Sequence, residues 1–315
     1  MSKPALKEKQ NYNQQFSLDM PFDEALKRFA NVNTKDMNDV VEREAEGNKA
    51  TPFIKWVGGK RGIIAQLKLR LPKEFNEYYE GFVGGGALFF EMIKDIKKAH
   101  LSDANLDLII TYKVIQKDPE ALIEALKRHQ KNHNADYYYK IRAQFKLDDP
   151  ISIASRLIYL NKTCFNGLYR VNKKGEFNVP MGSYVNPGIV NEDNIKACSK
   201  ALKKATIEYK DYSKIEAKTG DFCYFDPPYH PTNETSFTKY HLLDFTEKDQ
   251  IDLANFCTQL HRQGVKVMIS NSNTAFIRNL YSSNIFKIGI VNAPRLVNCK
   301  GNGRSAVEED LITNY

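Results

Sequence analysis

The sequence predicts an α/β fold, in which helices flank a mainly parallel sheet and a helical insertion interrupts the order. Two observations predict it. Apolar runs of strand length alternate with stretches of helical periodicity, an alternation typical of parallel strands joined by helices. A long, basic and helical region then separates the first strands from the last. The predicted strands are residues 77–83, 99–102, 221–225 and 265–270, and the predicted helices are residues 87–94, 106–112 and 247–262.

The first elements form a βαβ unit with a glycine-rich turn. Gly84, Gly85 and Gly86 follow the first strand, and Asp103 ends the second. Glycines at this place permit a ligand to approach the backbone at a helix amino terminus. An acid at the end of the second strand is placed to accept hydrogen bonds from ribose hydroxyls. A tight structural turn and a helix N-cap at Asp103 are the alternatives.

The later elements extend the same sheet. Residues 221–225 and 265–270 are apolar enough to be buried strands, and the helix between them has one apolar face. We expect these strands to pair in parallel with the first two. The apolar positions that fit the helical period are Ile251, Leu253, Ala254, Phe256, Cys257 and Leu260.

The chain divides into three regions by composition. Residues 1–50 are polar and form an N-terminal extension, with a predicted helical turn or two at residues 23–29 and a linker at residues 46–49. The predicted catalytic domain comprises residues 51–110 and 207–315. Residues 111–206 are the inserted domain, and a stretch rich in Gly, Asn and Pro breaks its helical pattern at residues 161–187.

Composition limits the class of protein. The 315 residues are 42% hydrophobic, enough for a full core, and their net charge of +8 favours an anionic partner, either a nucleic acid or an acidic membrane. No apolar stretch reaches membrane-spanning length, and no secretory signal begins the chain, so we expect a cytoplasmic protein. The five cysteines are scattered, which indicates neither a disulfide framework nor a zinc site. We predict no metal.

The segment Asp226-Pro227-Pro228-Tyr229 predicts an amino-methylating site. The amine of adenine is a poor nucleophile, so a catalyst must hold its two N–H groups and turn the lone pair outward. Asp226 offers a carboxylate oxygen and Pro227 a carbonyl, while the prolines supply no local donor. Tyr229 offers a face on which a flipped base can stack. The alternative is an ordinary Pro-Pro turn in which Asp226 makes a local hydrogen bond.

A second glycine turn carries cations and the only tryptophan. Lys55 and Trp56 precede Gly58 and Gly59, and Lys60 follows them. The full phosphate-loop pattern is absent, which excludes a nucleotide triphosphatase of that type. Trp56 as a core residue and Lys55 as a solvated charge are the alternatives.

A stiff, aromatic and basic hairpin is predicted at residues 161–180. Arg170 has the fork geometry to contact a guanine in the major groove, and Phe165 is suited to wedge into a base stack. A surface salt bridge for Arg170 and a core position for Phe165 are the alternatives.

The order of these motifs resembles the Dam family of DNA adenine-N6 methyltransferases. The chain has Lys-Trp-x-Gly-Gly-Lys, Phe-x-Gly-Gly-Gly, Ser-Asp-x-Asn, Phe-Asn-Gly-Leu-x-Arg, Gly-Glu-Phe-Asn-Val-Pro and Asp-Pro-Pro-Tyr, in that order. The resemblance covers residues 52–315, including Ser270-Asn271-Ser272 and residues 309–313. It implies a class I S-adenosylmethionine-dependent methyltransferase, Rossmann-like, whose helical insertion recognises the DNA target.

The resemblance also implies site residues and a substrate. It implies that Asp226, Pro227 and Tyr229 act on a flipped adenine within GATC in double-stranded DNA, by direct transfer of the methyl group from S-adenosylmethionine. The implied cofactor-binding residues are Trp56, Lys60, Phe82, Gly84, Asp103 and Asp226. The implied DNA-binding residues are Lys55, Phe165, Asn166, Leu168, Arg170, Pro180 and Tyr184.

One departure and two alternatives accompany this interpretation. The family usually has proline where Gly81 stands, and we expect this glycine to loosen the turn without removing a ligand. A methyltransferase for RNA or protein glutamine is one alternative, although such enzymes more often have Asn in place of Asp226. A DNA-binding protein with an inactive catalytic site is the other. No membrane and no obligate protein partner are expected.

Overall fold

Seven strands form one sheet in this computed structural model, which describes residues 49–232, 245–293 and 307–315. The N-terminal extension up to residue 48, with its predicted helical turns, lies outside the described residues. The strands are β1 Tyr78–Glu80, β2 Ala99–Asp103, β3 Ala205–Tyr209, β4 Phe222–Phe225, β5 Lys266–Ser272, β6 Lys287–Ala293 and β7 Val307–Thr313. Their order in the sheet is β3-β2-β1-β4-β5-β7-β6.

The first five strands in this order are parallel to one another. β1 pairs with β2 and β4, β2 with β3, and β4 with β5, all in parallel, whereas β7 is antiparallel to both β5 and β6. The predicted α/β fold with a mainly parallel sheet is thereby confirmed. The strands β3, β6 and β7 were not predicted. β3 is a short edge strand with alternating burial, so it lacks the continuous apolar run of a central strand.

Nine α-helices accompany the sheet in the described residues. They are α1 Ile64–Lys68, α2 Ala87–Glu91, α3 Leu106–Lys117, α4 Pro119–Asn132, α5 Ala135–Ala143, α6 Pro150–Thr163, α7 Glu192–Leu202, α8 Glu247–Arg262 and α9 Ala275–Leu280. Each helix from α3 to α9 begins after an Asn, Asp or Thr whose side chain accepts a backbone N–H of the first turn. None of these helices is long and apolar enough to cross a membrane.

Helix α8 has the predicted bounds. Thr246 and Asp249 form a reciprocal capping box at its start. Leu253 and Cys257 are fully buried against the sheet, as predicted, but Ile251 is 41% exposed and lies outside the apolar face. The position on that face one turn before Leu253 is taken by Gln250, a buried polar residue.

A hairpin interrupts the helical region between β2 and β3, after helix α6. Helix α6 packs against α3 and α4, and Tyr159 in its last turns is fully buried. The chain then leaves α6 at Cys164, which forms an isolated β-bridge with Met181. A second bridge joins Val171 to Phe177. The hairpin predicted at residues 161–180 therefore projects from a packed helix end.

Candidate active site

Four loops meet where the parallel strands end. The glycine turn follows β1, Asp103 ends β2, Asp226 follows β4, and Asn271 lies near the end of β5. Because these strands are parallel neighbours, their carboxyl ends lie at one edge of the sheet, the usual ligand-binding edge of such folds. The topology thus brings the glycine turn and the Asp-Pro-Pro-Tyr segment to one place.

The glycine turn is held close to Trp56. Gly84 has φ +45°, and a Cβ atom there would lie 2.6 Å from Trp56 Cδ1, so only glycine fits. The Gly84 carbonyl accepts a hydrogen bond from the hydroxyl of buried Tyr112 over 3.0 Å. Trp56 is half-buried and also stacks on Tyr169 of the hairpin, with ring centroids 5.3 Å apart. The tryptophan therefore contacts both predicted ligand-binding elements.

Asp103 fastens the same turn from the other side. Its Oδ2 accepts from Gly84 N over 3.0 Å, and its Oδ1 accepts from Asn105 N over 2.9 Å. The helix that follows is capped by Asn105, whose side chain accepts from Leu108 N, so Asp103 is not the N-cap. Burial raises the pKa of the Asp103 carboxyl, and the backbone N–H donors counteract the rise. Each carboxylate oxygen retains capacity for a second hydrogen bond.

Aromatic rings line the start of the turn. Phe82 is half-buried, stacks on Tyr212 with centroids 5.2 Å apart, and meets Phe245 edge to face at 5.7 Å. Gly81, where the resemblance leads one to expect proline, lies against the same group: a Cβ atom would be 2.9 Å from Ile215 Cδ1 and 3.2 Å from Tyr212 Cβ. The neighbouring side chains therefore leave no room for a side chain at this position.

The turn after β4 has most of its backbone groups occupied. Gln250 Nε2 donates to the Pro228 carbonyl over 2.9 Å. His230 N donates to Asn271 Oδ1 over 3.2 Å, and the Ser272 hydroxyl donates to the His230 carbonyl over 2.6 Å. Gln250 and Asn271 are themselves joined, since Asn271 Nδ2 donates to Gln250 Oε1. A buried, connected network therefore fixes the turn from behind.

Two acceptors of that turn are left over. Asp226 Oδ1 is buried without a hydrogen-bond partner among the described residues, and the Pro227 carbonyl receives no hydrogen bond from them either. Buried acceptors without donors are uncommon in folded proteins. The interpretation of the sequence requires two such acceptors on this turn, one for each N–H group of an amine.

Lys60 lies beside the catalytic turn. Its Nζ is 2.8 Å from Asp226 Oδ1, an ion pair whose approach falls outside hydrogen-bond geometry, and it also donates to the Gly58 carbonyl. The same Nζ is 4.8 Å from the centre of the Tyr229 ring. Burial raises the pKa of Asp226 to about 6, and the Lys60 ammonium counteracts this rise. Lys60, assigned to the cofactor by resemblance, thus contacts both predicted catalytic side chains.

Glu80 is a site residue that the sequence reasoning missed. It ends β1, is 3% exposed, and accepts a hydrogen bond from Tyr78 over 2.8 Å. The pKa of its carboxyl is raised to about 8, mainly by burial and also by the charges of Asp226 and Asp103, while the hydrogen bond from Tyr78 opposes the rise. The available signal was an acid inside an otherwise apolar strand. Three carboxyl groups therefore surround the glycine turn.

Gln250 was missed as well. Its signal was a polar residue on the apolar face of α8, three residues before Leu253 and four before Ala254. Its hydrogen bond to the Pro228 carbonyl joins two separate segments, so the contact is visible only in the structure.

The hairpin presents its predicted residues on both strands. Phe165 N donates to the Pro180 carbonyl over 2.9 Å, and Asn178 N donates to the Arg170 carbonyl over 3.1 Å. Phe165 is 47% exposed, which favours a contact surface over the core position considered from the sequence. Asn166 and Pro180 are also exposed, and Leu168 is half-buried.

Arg170 is oriented across the hairpin. Its Nε donates to Asn178 Oδ1 over 2.6 Å and its Nη2 to the Asn178 carbonyl over 3.2 Å. Asn178 was not among the predicted site residues.

Lys55 joins the hairpin from a distant part of the sequence. Its side chain is exposed, and its Nζ lies 3.4 Å from the Tyr184 hydroxyl and 5.1 Å from the centre of that ring. The segment from Lys55 to Lys60 therefore connects the hairpin with the Asp226 turn.

Comparisons with known proteins identify the family of the chain. The model of the D12 class N6 adenine-specific DNA methyltransferases matches residues 56–295. The chain is 44% identical to the Type II methyltransferase M.MjaIII of Methanocaldococcus jannaschii, over 84% of this chain and 99% of that protein. It is 36% identical to a DNA adenine methylase of Vibrio cholerae and 34% identical to one of Escherichia coli, each over 84% of this chain and 95% of the relative. The chain therefore belongs to the D12 class of N6 adenine-specific DNA methyltransferases.

Proposed function

We propose that this DNA adenine methyltransferase transfers a methyl group from S-adenosylmethionine to N6 of a flipped adenine within GATC. The observation that carries the catalytic part is a pair of acceptors on one turn. Asp226 Oδ1 has an ion pair with Lys60 but no regular hydrogen bond, and the Pro227 carbonyl receives no hydrogen bond from the described residues. They accept the two N–H groups of the adenine amine, which turns the nitrogen lone pair away from the turn. Tyr229 stacks on the flipped base.

The residues around the glycine turn fit the proposed donor. S-adenosylmethionine, when bound, supplies a methyl group activated by a positive sulfur. Glu80, Asp103 and Asp226 place three carboxyl groups near the turn, and a cationic ligand reduces their mutual repulsion. Because Gly84 has no Cβ atom, the Trp56 ring can lie directly against the backbone of the turn. The proposed cofactor-binding residues are Trp56, Lys60, Phe82, Gly84, Asp103 and Asp226.

The chain's residues act by position and charge. The network behind Pro228 would hold the acceptors so that they orient the amine nitrogen toward a bound methyl donor. When the methyl group is transferred, its bond to sulfur breaks with the electron pair left on sulfur, and the Asp226 carboxylate would stabilise the positive charge on the amine and accept the departing N6 proton. Lys60 keeps Asp226 ionised before the substrate arrives.

The recognition part rests on the hairpin and Lys55. We propose that residues 111–206 form the target-recognition domain and that Lys55 and Arg170 read guanines, because an exposed ammonium and an oriented guanidinium suit guanine O6 and N7. Phe165 is exposed at the position where a wedge would enter the base stack. The remaining proposed DNA contacts are Asn166, Leu168, Pro180 and Tyr184. The assignment to GATC follows the family resemblance.

Two measurements test this proposal. Labelled S-adenosylmethionine is supplied with DNA, RNA and protein in parallel, and only DNA should be labelled. Modified bases are then mapped in DNA from cells that express the chain, with Asp226→Ala as the control. N6-methyladenine in GATC, absent with Asp226→Ala, is expected. Methyladenine in another sequence would overturn the GATC assignment alone, and label in RNA or protein instead of DNA would overturn the substrate.

A further inference from the structure

Asn161 is a buried amide that ties together two distant segments. Its Oδ1 accepts from Lys55 N over 2.9 Å, and its Nδ2 donates to the Lys55 carbonyl over 2.8 Å and to the Gly167 carbonyl over 2.9 Å. The residue is 2% exposed and lies in the last turn of α6. Both backbone groups of Lys55 are therefore bonded to a single side chain, which also holds the hairpin.

The hairpin also packs directly on Lys55. Gly167 has φ +66°, and a Cβ atom there would lie 2.6 Å from Lys55 Cδ and 3.0 Å from its Cβ. The lysine stem thus runs along the Gly167 backbone, and its ammonium ends at Tyr184. With Asn161 fixing the backbone and Gly167 confining the stem, Lys55 has one position relative to the hairpin.

This arrangement matters because the base-reading groups come from separate segments. Lys55 lies 115 residues before Arg170, as their numbers show, so local chain geometry does not set their separation. A recognition group must be held within about half an ångström of its productive position to discriminate between bases. A buried, fully bonded amide provides that constraint, because any displacement leaves a polar group unpaired.

We infer that Asn161 is a positioning residue for sequence specificity: it holds Lys55 in register with the hairpin that carries Arg170. Asn161 touches no base in this arrangement and acts through Lys55. The inference rests on the proposed function, since it requires that Lys55 reads the DNA.

The test compares Asn161→Ala with a matched control, Asn314→Ala. Asn314 makes the same pattern of bonds, accepting from Val267 N and donating to the Val265 carbonyl, but at the far end of β5 from Asn271. We measure kcat/KM on the mapped target and on its single-base variants, together with cofactor affinity and Tm. Asn161→Ala should lose about fivefold to a hundredfold of discrimination at the base pair read by Lys55. Asn314→Ala should lower Tm and leave the ratios unchanged.

Two further variants separate positioning from general destabilisation. Lys55→Gln should relax discrimination at the same base pair, and adding Asn161→Ala to it should relax it no further, because Asn161 acts through Lys55. Gly167→Ala removes no side-chain donor or acceptor but would place a Cβ atom 2.6 Å from Lys55 Cδ. It should therefore displace the lysine stem and give the same relaxed pattern even where Asn161→Ala fails to fold.

The outcomes distinguish this inference from the proposed function. If Lys55→Gln leaves discrimination unchanged, the reading role of Lys55 is overturned and the inference with it. If Lys55→Gln relaxes discrimination while Asn161→Ala or Gly167→Ala scales all rates by one factor, the inference alone is overturned.

Discussion

The hydroxyl of Tyr229 donates a hydrogen bond to Glu309 Oε2 over 2.7 Å, which joins the turn after β4 to β7. This contact exists because β7 runs antiparallel to β5 with Glu309 opposite Ser272, so its first residues lie beside the last residues of β5. Lys60 Nζ meanwhile lies over the Tyr229 ring. Glu309 thus holds the hydroxyl of Tyr229, the proposed stacking residue, and Lys60 contacts the face of its ring.

Removing the Glu309 acceptor should slow methyl transfer. A hydrogen bond to a charged group contributes about 1.5–3 kcal/mol, so we expect Glu309→Ala to lower the single-turnover rate by about tenfold or more. Tyr229→Phe removes the same bond, and the double variant should be no slower than the slower single variant. Glu309→Gln keeps an acceptor and serves as the control. Multiplicative losses in the double variant would contradict a shared hydrogen bond.

The transfer rate should fall in acid. The pKa of Asp226 is raised to about 6, mainly by burial, and the nearby Glu309 charge contributes to the rise. Only the ionised carboxylate has its full acceptor capacity, so the single-turnover rate should decline as the pH falls through about 6. Glu309→Gln removes a negative neighbour and should move this decline to lower pH. A rate independent of pH between about 5 and 8, or a shift to higher pH in the variant, would be inconsistent with this role.

The features predicted from the sequence are those whose cause is local. Helix α8 is an example: its capping box begins it and its apolar period defines its face, so its bounds agree with the structure. The strands β4 and β5 are continuous apolar runs and were also found. β7 was not identified as a strand, because it alternates less clearly and depends on pairing with β5 and β6.

The site residues show the same division. A chemical role for the Asp-Pro-Pro-Tyr segment can be proposed from its four residues alone. Gln250 and Glu309 form hydrogen bonds with this segment from elements that are distant in sequence. Their contacts arise only after the sheet has formed. In the sequence, Asn161 likewise has no feature that distinguishes it from other polar residues. Its role depends on a contact with Lys55, which is distant in sequence.

Gln250 is predicted to matter for catalysis although it is buried behind the turn. Gln250→Leu has a similar volume but leaves the Pro228 carbonyl and Asn271 Nδ2 without their partners. Each unpaired buried group costs about 1–3 kcal/mol, so we expect a lower Tm and a kcat reduced by about tenfold as the turn shifts. Gln259→Ala, an exposed substitution on the same helix, is the control. A normal kcat at a temperature where Gln250→Leu is folded would refute the positioning role.

Glu80 should make stability depend on pH. The pKa of its carboxyl is about 8 in the folded protein, against an ordinary value of 4.5. Its contribution to stability is therefore fully present below about pH 4.5 and is lost as the pH rises to about 8. Glu80→Gln does not titrate, so its free energy of unfolding relative to the parent should rise by a few kcal/mol between about pH 5 and 9. Urea unfolding at several pH values measures this, and a constant difference would count against a buried neutral carboxyl.

Arg170→Ala should relax sequence discrimination more than it weakens activity on the target. The Asn178 side chain and carbonyl orient the guanidinium at the stem of a stiff hairpin, and a bidentate contact to guanine discriminates by about 1–3 kcal/mol. Relative rates on sites that differ at one base pair should therefore improve by about fivefold or more. Asn178→Ala should give a weaker form of the same pattern, because the arginine remains but loses its orientation.

Lys173→Ala, at an exposed lysine of the hairpin turn, should lower the rates on all sites alike. Rates are compared at one fixed salt concentration, since phosphate contacts are screened. A uniform decrease for Arg170→Ala across all sites would assign this arginine to the DNA backbone rather than to a base.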